Sequence, residues 1–419
     1  MKKLLVIFIV LAFVAPAMAA DNLSISGGVR VRTWDRENYS DFDDAGNDKS
    51  EYVDQRFRIQ LNAKANDNVK GVLQVDFAEL DWGSSTWTGY RPGNTATNNL
   101  GDANNSHDVL EVNRAYMDVN AGPVNILGGL FFTSVGQGQV IRNNKPGVQL
   151  TIKTPVIIEL GYTVEGDEDR GATNDEQNIH ASVAYKSDKF SVEGFYGQQM
   201  TSWTATDNED TRTVYGVNFK TMVGPVSLNS ELAFFGGDNE QTSVDYVGTQ
   251  FNVDADMKIN NLIKVGVDGI YSSGTDDATE DKIAYIGDVY GRLNRSEGGS
   301  GNNVFAGDLA PLGPFDVFDP FNNDQGALGI GVDAVVTPVA GLKIIGHIMY
   351  LTAAEDAPTG SSGYPNYDDA MVYNIGASYE FAPKAKVALF YNLVDADFEG
   401  TGVADDNASN IGGTLTISF

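Results

Sequence analysis

The chain has 419 residues, with 28 lysines and arginines against 57 aspartates and glutamates, a net charge of −29 and no cysteine. Disulfide scaffolds and thiolate metal centres are therefore excluded, and no nucleic-acid partner is expected of so acidic a chain. The 46 glycines and the long Asn/Asp/Gly/Ser clusters call for many turns.

The chain opens with MKKLLVIFIVLAFVAPAMAA: two lysines, an apolar run from Leu4 to Val14, and the A-x-A sequence Ala17-Met18-Ala19. This is the pattern of a secretory signal peptide, with cleavage predicted after Ala19, so residues 1–19 are set aside from fold reasoning. No later stretch approaches the ~18 consecutive apolar residues of a membrane-spanning helix. Residues 20–419 are expected to form one domain, because no linker, composition break or helical periodicity divides them.

Strand signals, short segments of alternating hydrophobicity bounded by turn residues, then follow one another to the end. They fall at 23–34, 53–64, 69–80, 110–120, 124–132, 148–154, 156–164, 178–186 and 189–199. The second half adds 211–221, 226–235, 246–257, 262–271, 327–336, 342–352, 371–381, 386–395 and 410–419. The count is eighteen, with sixteen as the alternative. From the first strand onward, the connections alternate long and short. The short ones are NDN, AGP, P, SD, VGP, KINN, TPVAG and APKA; the long ones are acidic and glycine-rich, such as 41–52, 83–108 and 165–177, and one runs from about 272 to 326. Outer-membrane barrels alternate short periplasmic turns with long outside loops in this way. An even strand count puts both termini on the periplasmic side.

On most strands one parity is apolar, as in Ile179, Ala181, Val183 and Tyr185, or Val387, Leu389, Tyr391 and Leu393, while the other mixes charged, amide and small residues. A soluble sandwich would bury the apolar set, whereas a transmembrane barrel turns it to lipid and encloses the polar set. Periodicity alone does not separate the two. The signal peptide and the loop alternation favour an all-β transmembrane antiparallel barrel, since only a closed barrel pairs every backbone group in lipid. The mean hydropathy of −0.22 is compatible with this, because only alternate residues meet lipid.

The last strand, GGTLTISF, ends on Phe419 with Ile417 and Leu415 on the same face. It resembles the C-terminal signature of Gram-negative outer-membrane proteins. VNRAYMDVNAGPVNILGG (112–129) is similar to strand–turn–strand segments of bacterial porins. The resemblance to the porin family implies that Phe419, Ile417 and Leu415 are read by the barrel assembly machinery. It also implies an outer-membrane location beside lipopolysaccharide, a homotrimer, and passive diffusion of small hydrophilic solutes and ions.

GGVRVRTW (27–34) and QRFRIQ (55–60) place arginines at alternate positions, hence on one face of each strand. With the polar parity inside, Arg30, Arg32, Arg56, Arg58 and Arg114 form a basic arc of pore wall. Acids of the same parity come later: Glu159, Glu193, Glu231, Asp254, Asp268, Asp333 and Glu380. Such patches set channel selectivity, and the layout resembles the crossed field of general porins. The blander reading pairs the arginines with Asp54, Asp76 or Asp118. The third long connection, TSVGQGQVIRNNKPG (133–147), is the candidate constriction loop. It carries Arg142 and Lys145 and no acid, a departure from the resembled family, whose inward loop usually carries acids. The rival is 272–326, whose GDLAPLGPFDVFDPFNND interleaves proline and phenylalanine as a plug or cap would.

No resident cofactor is expected. DADFEGTGVADD (395–406) partly matches a calcium loop but has Asp at its twelfth position and no flanking helices. Loosely bound Ca²⁺ or Mg²⁺ at the acidic loops is the milder alternative. Enzyme readings are poor: His107, His180 and His347 are scattered, and no phosphate loop opens a helix. Beside the diffusion channel stand a substrate-specific channel for anions or sugars, a non-conducting barrel serving as scaffold or adhesin, and, least favoured, a soluble secreted β protein.

Overall fold

The computed structural model describes residues 22–38, 49–81, 110–136, 141–165, 174–203, 208–240, 243–274, 280–282, 326–355, 367–398 and 406–419. The signal peptide, nearly all of 272–326 and the centre of the calcium-like segment lie outside the described residues.

The first half contains β1 (Leu23–Glu37), β2 (Ser50–Asn66), β3 (Val69–Asp81), β4 (Leu110–Ala121), β5 (Val124–Val135), β6 (Ile141–Lys153), β7 (Val156–Glu165), β8 (Asn174–Lys186) and β9 (Phe190–Trp203). The second contains β10 (Asn208–Val223), β11 (Val226–Asn239), β12 (Val244–Lys258), β13 (Ile263–Ser272), β14 (Glu280–Lys282), β15 (Ala327–Val339), β16 (Leu342–Thr352), β17 (Tyr367–Ala382), β18 (Ala385–Phe398) and β19 (Ala408–Ser418). β14 is a three-residue segment running parallel to β12 at the loop end, and β13 pairs directly with β15. The other eighteen strands form an antiparallel wall that closes where β1 meets β19, from Gly28↔Ser418 to Glu37↔Ser409. Closure leaves no open sheet edge. Most strands run further toward the long loops than alternation predicts, since once hydrophobic alternation fades, pairing to the neighbour still holds the chain extended.

The faces are unambiguous. On β18, Val387, Leu389 and Tyr391 are 38%, 65% and 40% exposed, while the intervening Ala388, Phe390 and Asn392 are at most 3% exposed. The apolar parity therefore points out of the barrel, as it also does on β8, where Ile179, Val183 and Tyr185 are exposed while Asn178, His180 and Ser182 are buried. A continuous outward apolar band is what lipid requires and what water penalises. One sector departs from the simple pattern. Toward the loop end, the inward residues Ile270, Met349, Leu351, Val372, Val394, Ala396 and Ala408 form a buried apolar cluster, so strands such as β16 are apolar on both faces.

The chemistry of the outward face can be tested at Leu389. Leu389→Arg on a lipid-facing band is expected to cost about 2–4 kcal/mol near the midplane, read by urea unfolding in lipid vesicles. On a water-facing surface the same change would stay within about 0.5 kcal/mol.

Candidate functional site: a charged lumen narrowed by an inward hairpin

The inward parity of β1 and β2 carries the arginines. Arg32 sits directly across from Asp54 and Arg30 across from Arg56, while Arg58 sits across from Asp76. Each aspartate gathers two guanidiniums. Asp54, which is buried, accepts from Arg32 Nε at 3.0 Å and from Trp34 Nε1 at 2.6 Å, with Arg30 Nη2 at 3.9 Å. Asp76, also buried, accepts from Arg58 Nε and Nη2 at 2.6 Å each, with Arg56 at 3.9 Å. The fork-to-carboxylate geometry on Asp76 is the strong bidentate form. Arg32 also stacks on Trp34 at 5.0 Å. Asp118 pairs with Lys70 at 3.0 Å instead.

Arg114 differs from the other four. Its Nε donates to Asn144 Oδ1 at 3.1 Å, its guanidinium lies 5.1 Å from the Phe132 ring, and among the described residues no carboxylate forms an ion pair with it. It lies close enough to Arg58 for the two charges to repel. Four of the five guanidiniums thus share two buried carboxylates, Asp54 and Asp76, and Arg114 adds a fifth positive charge beside them.

The partner of Arg114 shows how the lumen narrows. The β4–β5 ladder ends at Ala115↔Leu130 and the β6–β7 ladder begins at Gly147↔Thr163, yet β5 and β6 remain paired to Val135↔Ile141. The described residues 131–135 and 141–145 thus pair only with each other, as a hairpin that has left the wall. Much of 133–147, which the sequence presents as a loop, is strand. At its tip Gly136 sits against Glu231 Oε2 of β11 and the Phe195 ring of β9, six and four strands around the wall from β5. Only a path through the lumen connects them.

Leaving the wall exchanges the hairpin's two faces. Phe131, Thr133, Val135 and Lys145 continue the inward parity of β5 and β6 and are all buried, Phe131 edge-on to Tyr116 of β4. Lys145 Nζ lies 2.9 Å from Glu176 Oε1 on β8. The opposite parity, Phe132, Ser134 and Asn144, is exposed and becomes the lumen side, where Arg114 joins it. Lys145 is therefore an anchor to the wall rather than a charge presented to solutes. The backbone of Arg142 pairs with Ser134, and its side chain is outside the described set. The hairpin carries no acid, but the wall beneath it supplies two, Glu176 and Glu231.

The expected acidic residues occupy several levels. Glu231 is buried under the hairpin tip. Glu193 accepts from Asn218 at 2.8 Å, and Glu159 lies 3.6 Å from His180. Asp268 contacts His347 at 3.1 Å, and Asp254 and Asp268 face each other across β12 and β13. Asp333 lies over Gly266 beside Asp256, and Asp256 pairs with Lys264 at 2.9 Å. Glu380 sits across from Lys386 next to the β17–β18 turn, at the short-turn rim rather than at mid-height. Phe419, Ile417 and Leu415 all point outward. Phe419 exchanges backbone hydrogen bonds with Gly27 and lies 6.0 Å from Phe57. In the calcium-like segment, Asp395–Phe398 extend β18; among the described residues no group of three or more His, Asp or Glu side chains is arranged to hold a metal ion. Alternation alone did not single out the Asp210–Arg212–Tyr246–Asn239 network on the inner wall near the loop end, where Arg212 contacts Asp210 at 3.2 Å and stacks on Tyr246 at 4.7 Å.

A closed eighteen-strand barrel, apolar outside, charged inside and partly filled by its own hairpin, has the architecture of outer-membrane porins. Solved structures agree with this. The chain is similar to OccK11 (OpdR) of Pseudomonas aeruginosa at 11% identity and a TM-score of 0.58, covering 95% of each chain. It is similar to a BenF-like porin from Pseudomonas fluorescens Pf-5 at 10% identity and 0.59, covering 95% of this chain and 99% of that one. OpdK of P. aeruginosa, determined with vanillate, matches at 10% and 0.54 over 94% and 98%. No family model and no curated protein matches the sequence.

Proposed function

We propose that this chain is an outer-membrane porin, a passive channel for small hydrophilic solutes and ions, with a filter formed by the inward hairpin and the charges around it. The observation that carries this is the hairpin itself. A barrel whose lumen wall is charged, and whose third long connection crosses that lumen, is built to restrict passage. No bond-making step is assigned to any residue. On this reading the signal peptide directs export, the short turns and both termini face the periplasm, and the long acidic loops lie outside beside lipopolysaccharide, where Ca²⁺ or Mg²⁺ can bridge them. The assembly machinery reads Phe419, Ile417 and Leu415, and the barrels associate as trimers.

The arginine arc favours a more specific version, a channel preferring small anions. Its arginines cluster on one side of the lumen and Arg114 touches the hairpin itself, where narrow, low-dielectric walls focus the field. The vanillate in the OpdK structure is a small carboxylate, the kind of solute such an arc attracts. The acids at Glu193, Asp254, Asp268 and Asp333 would then form the opposite side of the field.

Planar-bilayer recording of the refolded mature protein tests both versions. Discrete, stable conductance steps are expected, with a reversal potential in a KCl gradient of the sign that marks chloride preference. A folded barrel that gives no steps would sink the channel and promote a scaffold or adhesin role, while cation preference would sink the anion version alone.

A further inference from the structure

The strand pairings leave the described residues 131–136 and 141–146 without a neighbouring strand outside the hairpin, so side-chain contacts help decide where the hairpin rests. Two of its polar contacts differ in kind. The Arg114–Asn144 bond ties it to β4, on the side from which it departs. The Lys145–Glu176 pair ties it to β8, on the side toward which it leans. Lys145 is 3% exposed and its side chain extends from the buried face, where a charge is costly to hold away from water unless it is well paired. Glu176 has a second hold, accepting from Asn178 Nδ2 at 3.2 Å, so the carboxylate is itself aimed before the lysine meets it.

We propose that the Lys145–Glu176 ion pair is the positioning device that sets the width of the channel: it draws the hairpin onto β8 and keeps the space in front of Phe132, Ser134, Asn144 and Arg114 open to solutes at a fixed size. The inference rests on the channel reading for its meaning, although the docking itself does not. With the pair intact, the lumen face of the hairpin is held at one distance from the arginine arc. With it broken, the hairpin swings on its base, the opening fluctuates, and both solute size limit and current become variable. Lys145 and Glu176 are positioning residues in this scheme and touch no solute.

The test uses the full mature barrel with Lys145→Gln, Glu176→Gln, and the exchanged pair Lys145→Glu with Glu176→Lys. In single-channel recording each neutral variant is expected to show open-state current noise raised several-fold and a changed mean conductance, and the exchanged pair is expected to restore the parent trace. Wild-type noise and sugar size limit in both neutral variants, or exchanged charges that fail to restore what the single changes disturbed, would overturn the proposal. A second readout does not depend on conduction. The chain has no native cysteine, so spin labels can be placed at Ser134 on the hairpin and Val183 on β8. The label-to-label distance distribution is expected to be narrow in the parent, broad in Lys145→Gln and narrow again in the exchanged pair. An unchanged distribution in Lys145→Gln would overturn the docking even in a barrel that conducts, and a silent barrel with the expected broadening would sink only the channel reading.

Discussion

Gly147→Ala and Gly129→Ala are each expected to destabilise the folded barrel by about 3 kcal/mol or more, although each adds only one methyl group. The two glycines face each other across β5 and β6, at the base of the inward hairpin. A Cβ on Gly147 would run into the backbone oxygen of Tyr162 and lie 2.8 Å from Thr163 Cα, and one on Gly129 would run into the backbone oxygen of Ala115 and lie 2.9 Å from Tyr116 Cα. Those atoms belong to β7 and β4, the wall strands from which the hairpin departs, and wall backbone has little room to yield. Gly129 also has a φ of +124°, which costs a residue with a side chain of order 1–3 kcal/mol before any clash is counted, and overpacking adds about 1–3 kcal/mol. Gly71→Ala and Gly128→Ala are matched controls, since each Cβ would meet nothing within 4 Å. Urea unfolding of vesicle-reconstituted barrels decides the matter. If Gly147→Ala proves as stable as Gly128→Ala, the paired-glycine base is not a structural requirement.

The glycine pair also shows where the sequence stops being readable. Alternation is a local signal, and wherever one strand face meets lipid and the other meets polar lumen, it marks the strand, its parity and its short turn, as with Val387, Leu389 and Tyr391. The arginine–aspartate contacts were partly legible for the same reason: once parity is known, Asp54 and Asp76 fall among the candidate partners of the arginines on the neighbouring strand. The order of the connections singled out 133–147, but its strand character was not legible, because QVIRNNKPG is polar, holds a proline and has no lipid face to imprint a pattern. Its extended shape follows from pairing with β5 and from what lies across the lumen. The same cause inverts the role of Lys145: parity counted along β6 turns its side chain to the lumen, but the strand has already left the wall, and the inward direction there points at β8. Glu176 was invisible as its partner, since β6 and β8 are not neighbours and no periodicity links them. On β16 the apolar character of both faces reflects the buried inner cluster, a tertiary fact that hydrophobic alternation has no means of recording.

Opposite shifts in ion preference are expected from two substitutions on the same wall. Asp54→Ala removes a carboxylate from beside Arg30 and Arg32 and makes the arc more positive by one charge, whereas Arg114→Gln makes it less positive by one. If this arc sets the field in the narrow part of the channel, the reversal potential in a KCl gradient should move toward chloride in the first variant and away from it in the second. Their stabilities should part as well. Asp54 is buried and holds Arg32 and the indole N–H of Trp34, itself buried, so its loss leaves charge and a donor without a partner and is expected to cost about 3 kcal/mol. Asp54→Asn can still accept from Trp34 and should cost less while shifting selectivity almost as far. Arg114 pairs with no described carboxylate, so its replacement by glutamine gives up one hydrogen bond to Asn144 and the contact with Phe132, about 1 kcal/mol. A selectivity that moves the same way in both variants, or in neither, would mean that the arginine arc solvates the wall without governing what passes, and that the acids on β9 to β15 are the groups to examine next.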